Sequence, residues 1–341
     1  MSEKKLNVAM IGCGVIADFH LKGVLANPHC ELYAVCDNAT DDRLERRRKE
    51  YKAQIAVTDY RELVNDPNVD MAIVTTPDNT HCEMTCAFLR AGVPVLLEKP
   101  MALTNEDCAE MRRVEKETGT RLMVGQVGRY NPPRVRAKQL VDEGTIGELV
   151  FIECEYAHSY RRARGYNDWR VSPDREGMIG GGCHAVDFLR WVAGNPTEVM
   201  AYSNHKYLTD WPVDDTTIAI YKFPNNVIGK IFCSIGVKRD KANRVCLYGT
   251  EGTIIIEGHS NEIKMYQVDK NGNNFTAPKL VSVQNIGHNM AAEITDFVNA
   301  IVEDRPAPIS SIEGASTVAV CRATVESAKL GKPVQIVYPE N

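Results

Sequence analysis

The chain has 341 residues, of which 44% are hydrophobic and 25% charged, and its formal net charge is -5. This length exceeds the usual span of one hydrophobic core, so two domains are expected. The composition excludes disordered, collagen-like and coiled-coil chains, and the mixed charges exclude a broad basic surface for nucleic acid.

The sequence also sets expectations about the cellular compartment. We expect no signal peptide and no membrane partner, because no apolar leader pattern or membrane-length segment is visible. Eleven cysteines occur without CxxC pairs, which is typical of reduced thiols. A cytoplasmic location is therefore expected.

Strand and helix signals alternate through the first third of the chain. Apolar strand segments are predicted at 6–11, 32–36, 69–75, 93–97 and 121–124, with helices between them. This βαβ alternation predicts an α/β domain over residues 1–126, a doubly wound parallel sheet of six strands of the Rossmann type, of which these segments locate all but the third.

The pattern changes after Gln126. Asn131-Pro132-Pro133 opens a helix that ends near Gly144. Strand-like segments follow at 149–156, 216–223, 227–237, 244–248 and 253–257, and the short turns between them predict antiparallel pairing. Helices near 182–192, 290–302 and 312–329 should cover one face of that sheet. Residues 127–341 are thus expected to form an α+β substrate-binding domain whose other sheet face pairs with a second subunit.

A glycine-rich turn follows the first predicted strand. Gly12 permits a tight turn, Gly14 lets the backbone approach a pyrophosphate, and Ala17 allows close packing of the helix on the sheet. Asp37 ends the second strand about twenty residues further on, where its carboxylate would bind the adenosine ribose. NAD is therefore favoured over NADP, although Arg43 could still accept a 2'-phosphate. The alternative is a glycine-rich turn in an unrelated α/β domain.

Two residues are candidates for proton chemistry. Lys99 follows the fifth strand at the carboxyl edge of the sheet, where it could polarise a substrate hydroxyl or could simply be a surface lysine. His184 lies three residues before Asp187, whose carboxylate could fix the tautomer of a general acid/base, although buried histidines are also structural. Cys183 adjoins His184, but no further ligands occur at zinc spacing, so no metal site is predicted.

In this order, the motifs resemble the Gfo/Idh/MocA family, named for glucose-fructose oxidoreductase, inositol dehydrogenase and a rhizopine-catabolism protein. The resemblance runs over nearly the whole chain and rests on GxGxxA with Asp37, on residues 75–81, on Glu98-Lys99-Pro100, on residues 128–132, on Trp169-Arg170, and on His184 with Asp187. It implies a Rossmann domain, an open-faced and mostly antiparallel second sheet, a homodimer or homotetramer formed through that sheet, and hydride transfer on sugars, cyclitols or their relatives.

The resemblance also implies site residues. Cofactor contacts are implied for Gly12, Gly14, Val15, Ile16, Asp37, Thr75, Thr76, Pro77, Asn79, His81, Glu98, Lys99, Gln126 and Arg170. Substrate contacts are implied for Asp187, Tyr156, Arg129, Asn131 and Trp169, with Lys99 and His184 at the reaction centre. One departure concerns Gly180, because many family members carry a catalytic aspartate there, four residues before the histidine. Asp174 or Tyr166 could replace it.

We therefore expect an NAD-dependent dehydrogenase or reductase acting on CH–OH groups, in which His184 exchanges the hydroxyl proton and Lys99 stabilises the oxyanion. Two alternatives stay open. One is a glycosidase-like enzyme that oxidises its sugar transiently, and the other is a regulator that senses NAD and sugar without chemistry. An arginine-rich stretch, Arg161, Arg162 and Arg164, could recognise an anion or could be a solvated loop or subunit contact.

Overall fold

The computed structural model describes residues 5–38, 42–165, 168–258, 260–269 and 277–340. The chain divides into two compact units. The first unit comprises Met1–Val127, Asn289–Val318 and Pro339–Asn341, and the second comprises Gly128–His288 and Ala319–Tyr338. Among the described residues, no helix combines the length and apolar character needed to cross a membrane.

The first unit is built on a parallel sheet of six strands, as predicted. The strands are β1 (Leu6–Ile11), β2 (Cys30–Cys36), β3 (Ile55–Val57), β4 (Met71–Val74), β5 (Val95–Glu98) and β6 (Leu122–Gly125), in the order β3-β2-β1-β4-β5-β6. β1 and β4 are neighbours, so the winding direction reverses between them. That reversal is the point at which doubly wound folds bind ligands, at the carboxyl ends of the strands.

Helices cover the sheet of the first unit. They are α1 (Ala17–Ala26), α2 (Arg43–Tyr51), α3 (Arg61–Val64), α4 (His81–Arg90) and α5 (Asn105–Thr118), with short 3-10 turns at Asp78–Thr80 and Val127–Tyr130. The sequence sets the ends of α5: Thr104 Oγ1 accepts the Asp107 N–H at 3.1 Å, and Gly119 stops the helix with a φ of +67°. Because helices lie on both faces, the central strands are apolar along their length.

The second unit contains a nine-stranded sheet. Its strands are β7 (Leu149–Ala157), β8 (Glu198–Asn204), β9 (Thr216–Lys222), β10 (Ile228–Ser234), β11 (Val245–Gly249), β12 (Gly252–Ile256), β13 (Glu262–Gln267), β14 (Lys279–Ser282) and β15 (Val334–Gln335). Their order is β14-β13-β12-β11-β7-β10-β9-β8-β15, and the pairs are antiparallel apart from β7 with β10. The mostly antiparallel sheet is confirmed. Three helices belong to this part of the chain: α6 (Pro132–Asp142), α7 (Gly177–Gly180) and α8 (Cys183–Ala193).

The last two helices do not both pack on the antiparallel sheet, as the sequence had predicted. α9 (Met290–Val302) packs on α1 of the first unit, where a Cβ added to Gly23 would lie 3.3 Å from Ala291 Cα, and Asn27 Nδ2 donates to Thr295 Oγ1 at 3.2 Å. The predicted placement of this helix on the antiparallel sheet is therefore wrong. The division into 1–126 and 127–341 also differs from the structure, because Asn289–Val318 joins the first unit.

α10 (Ser311–Leu330) contributes to both units. Its first half supplies Ala315 and Val318 to the core of the first unit. In the second unit, Thr324 Oγ1 lies 2.9 Å from the hydroxyl of Tyr221, and Ser327 Oγ accepts the Ala201 N–H at 3.0 Å. The prediction that this helix covers the antiparallel sheet thus holds for its second half.

Candidate active site

The turn after β1 requires glycine at position 12. Gly12 has a φ of +92°, and a Cβ added there would lie 2.9 Å from the carbonyl carbon of Thr75 and from the amide nitrogen of Thr76. Thr75 Oγ1 donates to the Gly12 carbonyl at 2.8 Å, which ties the segment after β4 to this turn. A side chain at position 12 would push the two segments apart.

Gly14 and its neighbours fit the requirements of a dinucleotide. A Cβ added to Gly14 would meet no atom of the described residues beyond its chain neighbours within 4 Å, and the Val15 side chain is 80% exposed. The backbone is thus open to close approach from outside, and Ile16 leads into α1, whose amino end favours an anion. The residues present suit a pyrophosphate, which needs amide donors and no intervening side chain.

Asp37 lies directly against the same turn. Its Oδ2 accepts the Cys13 N–H at 2.6 Å, which fixes the half-buried carboxylate at the carboxyl end of β2. A carboxylate in this position can bind ribose hydroxyls. Burial, followed by the charge of Asp37, raises the pKa of the Cys13 thiol to about 12, so this cysteine remains an unreactive thiol.

The segment after β4 is held by a buried histidine. His81 is fully buried, and its Nδ1 and Nε2 lie 3.0 and 3.1 Å from the carbonyl oxygens of Pro100 and Thr76. The ring therefore joins the segments that follow β4 and β5. Pro77 and the exposed Asn79 belong to the same segment. The implied contacts of these residues with a cofactor remain predictions.

Lys99 is held through its backbone at the end of β5. The Glu98 carboxylate is buried, and its Oε2 accepts the Lys99 N–H at 3.0 Å while its Oε1 lies 2.9 Å from His20 Nε2. The lysine itself is half-buried, and Gln126 is buried after β6. The carboxyl edge of one sheet thus carries the glycine turn, the Asp37 carboxylate and a lysine.

In the second unit, His184 belongs to an aromatic cluster. Its ring stacks on Tyr156 with centroids 5.7 Å apart and meets His288 edge-on at 6.0 Å. The Tyr156 hydroxyl lies 2.7 Å from that of Tyr160, and burial, followed by the charge of Tyr160, holds the pKa of Tyr156 well above its usual range. The phenol therefore stays neutral beside His184. His288 is a site residue that no sequence motif indicated.

His158 extends the cluster. Its ring meets Tyr160 edge-on at 5.2 Å and Tyr156 at 6.3 Å. Burial, followed by the positive charges of Lys241 and Arg170, lowers the pKa of His158, so its imidazole is neutral at neutral pH. The cluster as a whole consists of aromatic rings packed against one another, with Tyr156 and Tyr160 buried.

Asp187 is paired with an arginine. The carboxylate is 2% exposed, and it accepts Arg129 Nε at 3.1 Å on both oxygens and Arg129 Nη2 at 2.8 Å on Oδ1. Both Asp187 oxygens thus accept from Arg129, and the orientation of His184 by Asp187 remains a prediction. Asn131 Nδ2 donates to the Gly287 carbonyl at 3.1 Å, so it anchors the segment that leads to His288.

Position 180 has no room for a carboxylate. A Cβ added to Gly180 would overlap the guanidinium of Arg175, with Cζ only 2.5 Å away. Arg175 is itself buried and lies 4.9 Å over the ring of Trp169, and Arg170 lies 4.2 Å from the same ring. The space that a side chain at 180 would need is thus filled by a cation.

The two suggested replacements for an acid at 180 gain no support. Asp174 is exposed, and its backbone N–H donates to Ser172 Oγ at 3.4 Å. Tyr166 lies outside the described residues. Within the described part of the chain, no group of three histidine, cysteine or acidic side chains could hold a metal ion.

Most of the arginine-rich stretch is neutralised within the second unit. Arg161 Nη1 lies 2.5 Å from Asp210, and Arg164 pairs with both Asp168 and Asp210 at 2.9 and 3.3 Å. Arg162 is exposed. Because two of the three guanidinium groups already have carboxylate partners, the solvated-loop interpretation is favoured over anion recognition.

Comparison with known proteins places this geometry in a family. The chain matches a model described as "Oxidoreductase family, NAD-binding Rossmann fold" over residues 6–126 and one described as "GFO/IDH/MocA C-terminal domain" over residues 135–255. It is 31% identical to inositol 2-dehydrogenase 2 of Saccharopolyspora erythraea, but the match spans 59% of this chain and only 57% of that protein.

Two further matches extend over nearly the full length. Myo-inositol 2-dehydrogenase of Thermotoga maritima is 23% identical over 97% of this chain and 98% of its own. The crystal structure of an NAD binding oxidoreductase from Klebsiella pneumoniae has a TM-score of 0.87 at 25% identity, covering 98% of this chain and 100% of that one. The chain belongs to the GFO/IDH/MocA oxidoreductase family, and its first unit carries the NAD-binding Rossmann fold of that family.

Proposed function

We propose that the chain is an NAD-dependent oxidoreductase that transfers hydride between the nicotinamide and a hydroxyl or keto carbon of a sugar, cyclitol or sugar derivative. The observation that carries the proposal is the placement of the Gly14 turn, Asp37 and Lys99 at the carboxyl ends of β1, β2 and β5 in one parallel sheet. The two relatives named as inositol dehydrogenases support the substrate class. Asp37 supports NAD over NADP, because its carboxylate would repel a 2'-phosphate.

The chain's own residues supply binding and proton chemistry. Backbone amides at the start of α1 would hold the pyrophosphate, Asp37 the ribose, and the bound NAD supplies the hydride acceptor. Lys99 donates a hydrogen bond to the substrate oxygen and stabilises its developing charge, while His184 accepts the hydroxyl proton. Stacking on Tyr156 fixes the plane of the His184 imidazole.

The substrate-binding assignments divide into two kinds. The direct substrate contacts implied for Tyr156 and Trp169 remain predictions, because Tyr156 is buried against His184 and the Trp169 ring lies under Arg170 and Arg175. Arg129 and Asp187 satisfy one another, and Asn131 holds a neighbouring segment, so we assign these three to shaping the site.

A substrate panel tests the proposal. The purified chain is mixed with NAD and, in turn, with cyclitols, polyols, aldoses and sugar acids, and NADH absorbance and product formation are both followed. We expect NADH to accumulate with at least one polyhydroxylated alcohol. When NADP replaces NAD, we expect NADPH to accumulate more slowly. Product without net NADH would replace the proposal by a glycosidase-like reaction. Dinucleotide binding without turnover on any compound would replace it by a sensor.

We also infer that the chain forms a homo-oligomer through the outer face of the nine-stranded sheet. Large side chains on adjacent strands are exposed there, with Tyr202 opposite Ile218 across β8 and β9, and Ile220 and Ile228 on β9 and β10. Monomers seldom leave such a continuous apolar surface in water. Replacing Ile218 and Ile220 together with lysine should shift the mass in light scattering toward the monomer, whereas lysine at the exposed Val302 should not. An unchanged mass in the double variant would refute this interface.

A cytoplasmic location is part of the same proposal. All eleven cysteines are free thiols, and ten of them are buried. Such a set is typical of a reducing compartment. Fractionation of the producing cells tests the assignment, and recovery of the chain with secreted or membrane material would contradict it.

A further inference from the structure

Two aromatic side chains contact the half-buried ring of His184, and they differ in their access to solvent. Tyr156 stacks on the ring with centroids 5.7 Å apart, and this tyrosine is buried. His288 meets the same ring edge-on at 6.0 Å, and this histidine is exposed. A ligand that reaches His184 from solvent is therefore close to His288, whereas Tyr156 supports the ring from the protein interior.

Hydrogen bonds hold the turn that precedes His288. Asn285 Oδ1 accepts the Gly287 N–H at 3.0 Å and Asn131 Nδ2 at 3.2 Å. Asn131 Nδ2 also donates to the Gly287 carbonyl at 3.1 Å, and the Asn285 N–H donates to Asn261 Oδ1 at 2.9 Å. Gly287 has a φ of +68°, which favours glycine at this place in the turn. The exposed imidazole thus follows a fixed backbone, as a binding residue requires.

The neighbouring ring limits the charge that His288 carries during the proposed reaction. When the substrate alcohol is oxidised, it loses hydride to NAD and its hydroxyl proton to His184, which becomes an imidazolium. A second imidazolium 6.0 Å away would repel the first, so His288 is neutral at this stage. A neutral imidazole has one N–H donor and one nitrogen acceptor. This combination suits a hydroxyl group, which also donates and accepts, better than it suits a carboxylate or phosphate.

We propose that His288 is a specificity-determining residue that hydrogen-bonds the hydroxyl next to the carbon on which His184 acts. Neighbouring hydroxyl groups of a sugar or cyclitol lie side by side on the ring, so binding one of them at His184 brings the other toward His288. The substrate class is thereby narrowed to vicinal diols, which carry a second hydroxyl on the adjacent carbon. The assignment rests on the proposed function, because it requires His184 to bind the reacting hydroxyl.

Two substrates and three variants of the full chain test the assignment. The substrates are the polyhydroxylated alcohol that gives NADH most rapidly in the panel and its deoxy analogue, which lacks the hydroxyl beside the oxidised carbon. His288→Phe keeps an aromatic ring beside His184 but cannot hydrogen-bond, and His288→Gln keeps a donor and an acceptor. His29→Phe makes the same change at an exposed histidine between α1 and β2 and serves as the control.

The quantity compared is kcat/KM for the complete substrate divided by kcat/KM for the deoxy analogue. In His288→Phe this ratio should fall about five- to tenfold, the effect of one neutral hydrogen bond, because only the complete substrate loses a contact. His288→Gln should retain more of the ratio, and His29→Phe should leave it unchanged. A ring that merely supports His184 would change kcat/KM for both substrates alike. An unchanged ratio in His288→Phe, an equal fall in His288→Gln, or a wild-type ratio near one would overturn the proposal.

A second readout does not require turnover. Calorimetric titration of both compounds into the chain saturated with NADH should show a weaker affinity of His288→Phe for the complete compound, by the same factor, and an unchanged affinity for the deoxy analogue. Equal affinities of wild type and His288→Phe for the complete compound would refute the role of His288, while turnover by the wild type would leave the proposed function standing. Inactivity of the wild type on every compound would instead refute the proposed function, and the role of His288 with it.

Discussion

Replacing Lys99 with methionine is expected to lower kcat by about a hundred- to a thousandfold on the true substrate, while NADH binding stays near the wild-type value. Methionine keeps the unbranched stem but cannot donate to the substrate oxygen. Glu98 contacts the backbone of residue 99, so that contact survives the substitution. Steady-state kinetics combined with fluorescence titration of NADH separate the two effects.

A loss of kcat with NADH binding retained is also expected for His184→Phe. Phenylalanine preserves a ring that can stack on Tyr156 but cannot accept a proton, and general-base removal costs about a hundred- to ten-thousandfold. The exposed His29, replaced by asparagine, serves as the control and should retain full activity. Wild-type turnover in both the Lys99 and the His184 variants would refute their assignment to the reaction centre.

The second large effect is expected at Gly14. Gly14→Val should weaken NADH binding by at least about tenfold, or about 1.4 kcal/mol, with little change in melting temperature. The reason is geometric: no atom of the described residues beyond the chain neighbours of Gly14 lies within 4 Å of an added Cβ, so the new side chain disturbs only what approaches from outside. Calorimetric titration and thermal unfolding of the same sample measure both quantities.

Gly12→Ala provides the matched contrast. At Gly12 the added carbon would meet backbone atoms of Thr75 and Thr76, and the φ of +92° disfavours a side chain. This variant should lose stability as well as binding. Tight NADH binding by Gly14→Val would show that the dinucleotide does not lie against this turn.

Much of the first unit could be predicted because its signals are local. Apolar strand segments alternate with helices, and the glycine turn and Asp37 directly follow strands, so parallel topology brings them to one edge. β3 was not located, since its apolar segment Ile55–Val57 has only three residues and is too short to stand out. α9 was assigned to the wrong sheet, because an apolar helix face does not reveal which partner it covers.

The remaining site features depend on contacts between distant residues. Arg129 and Asp187 are separated by 58 positions, and no local pattern predicts their pairing. Whether Gly180 leaves an opening depends on Arg175, whose guanidinium fills the space. His288 stands in no motif, and its contact with His184 arises only from the packing of distant parts of the chain. The sequence could identify candidate site residues at the strand ends, whereas tertiary packing determines which residues hold them in position.

Titration of NADH and NADPH into the purified wild-type chain tests the central claim most directly. The carboxyl edge that carries Gly14 and Asp37 should bind one NADH per chain saturably. It should bind NADPH more weakly, because a carboxylate that binds the ribose would repel a 2'-phosphate. A folded chain that binds neither dinucleotide would contradict the account, whatever activity the preparation shows.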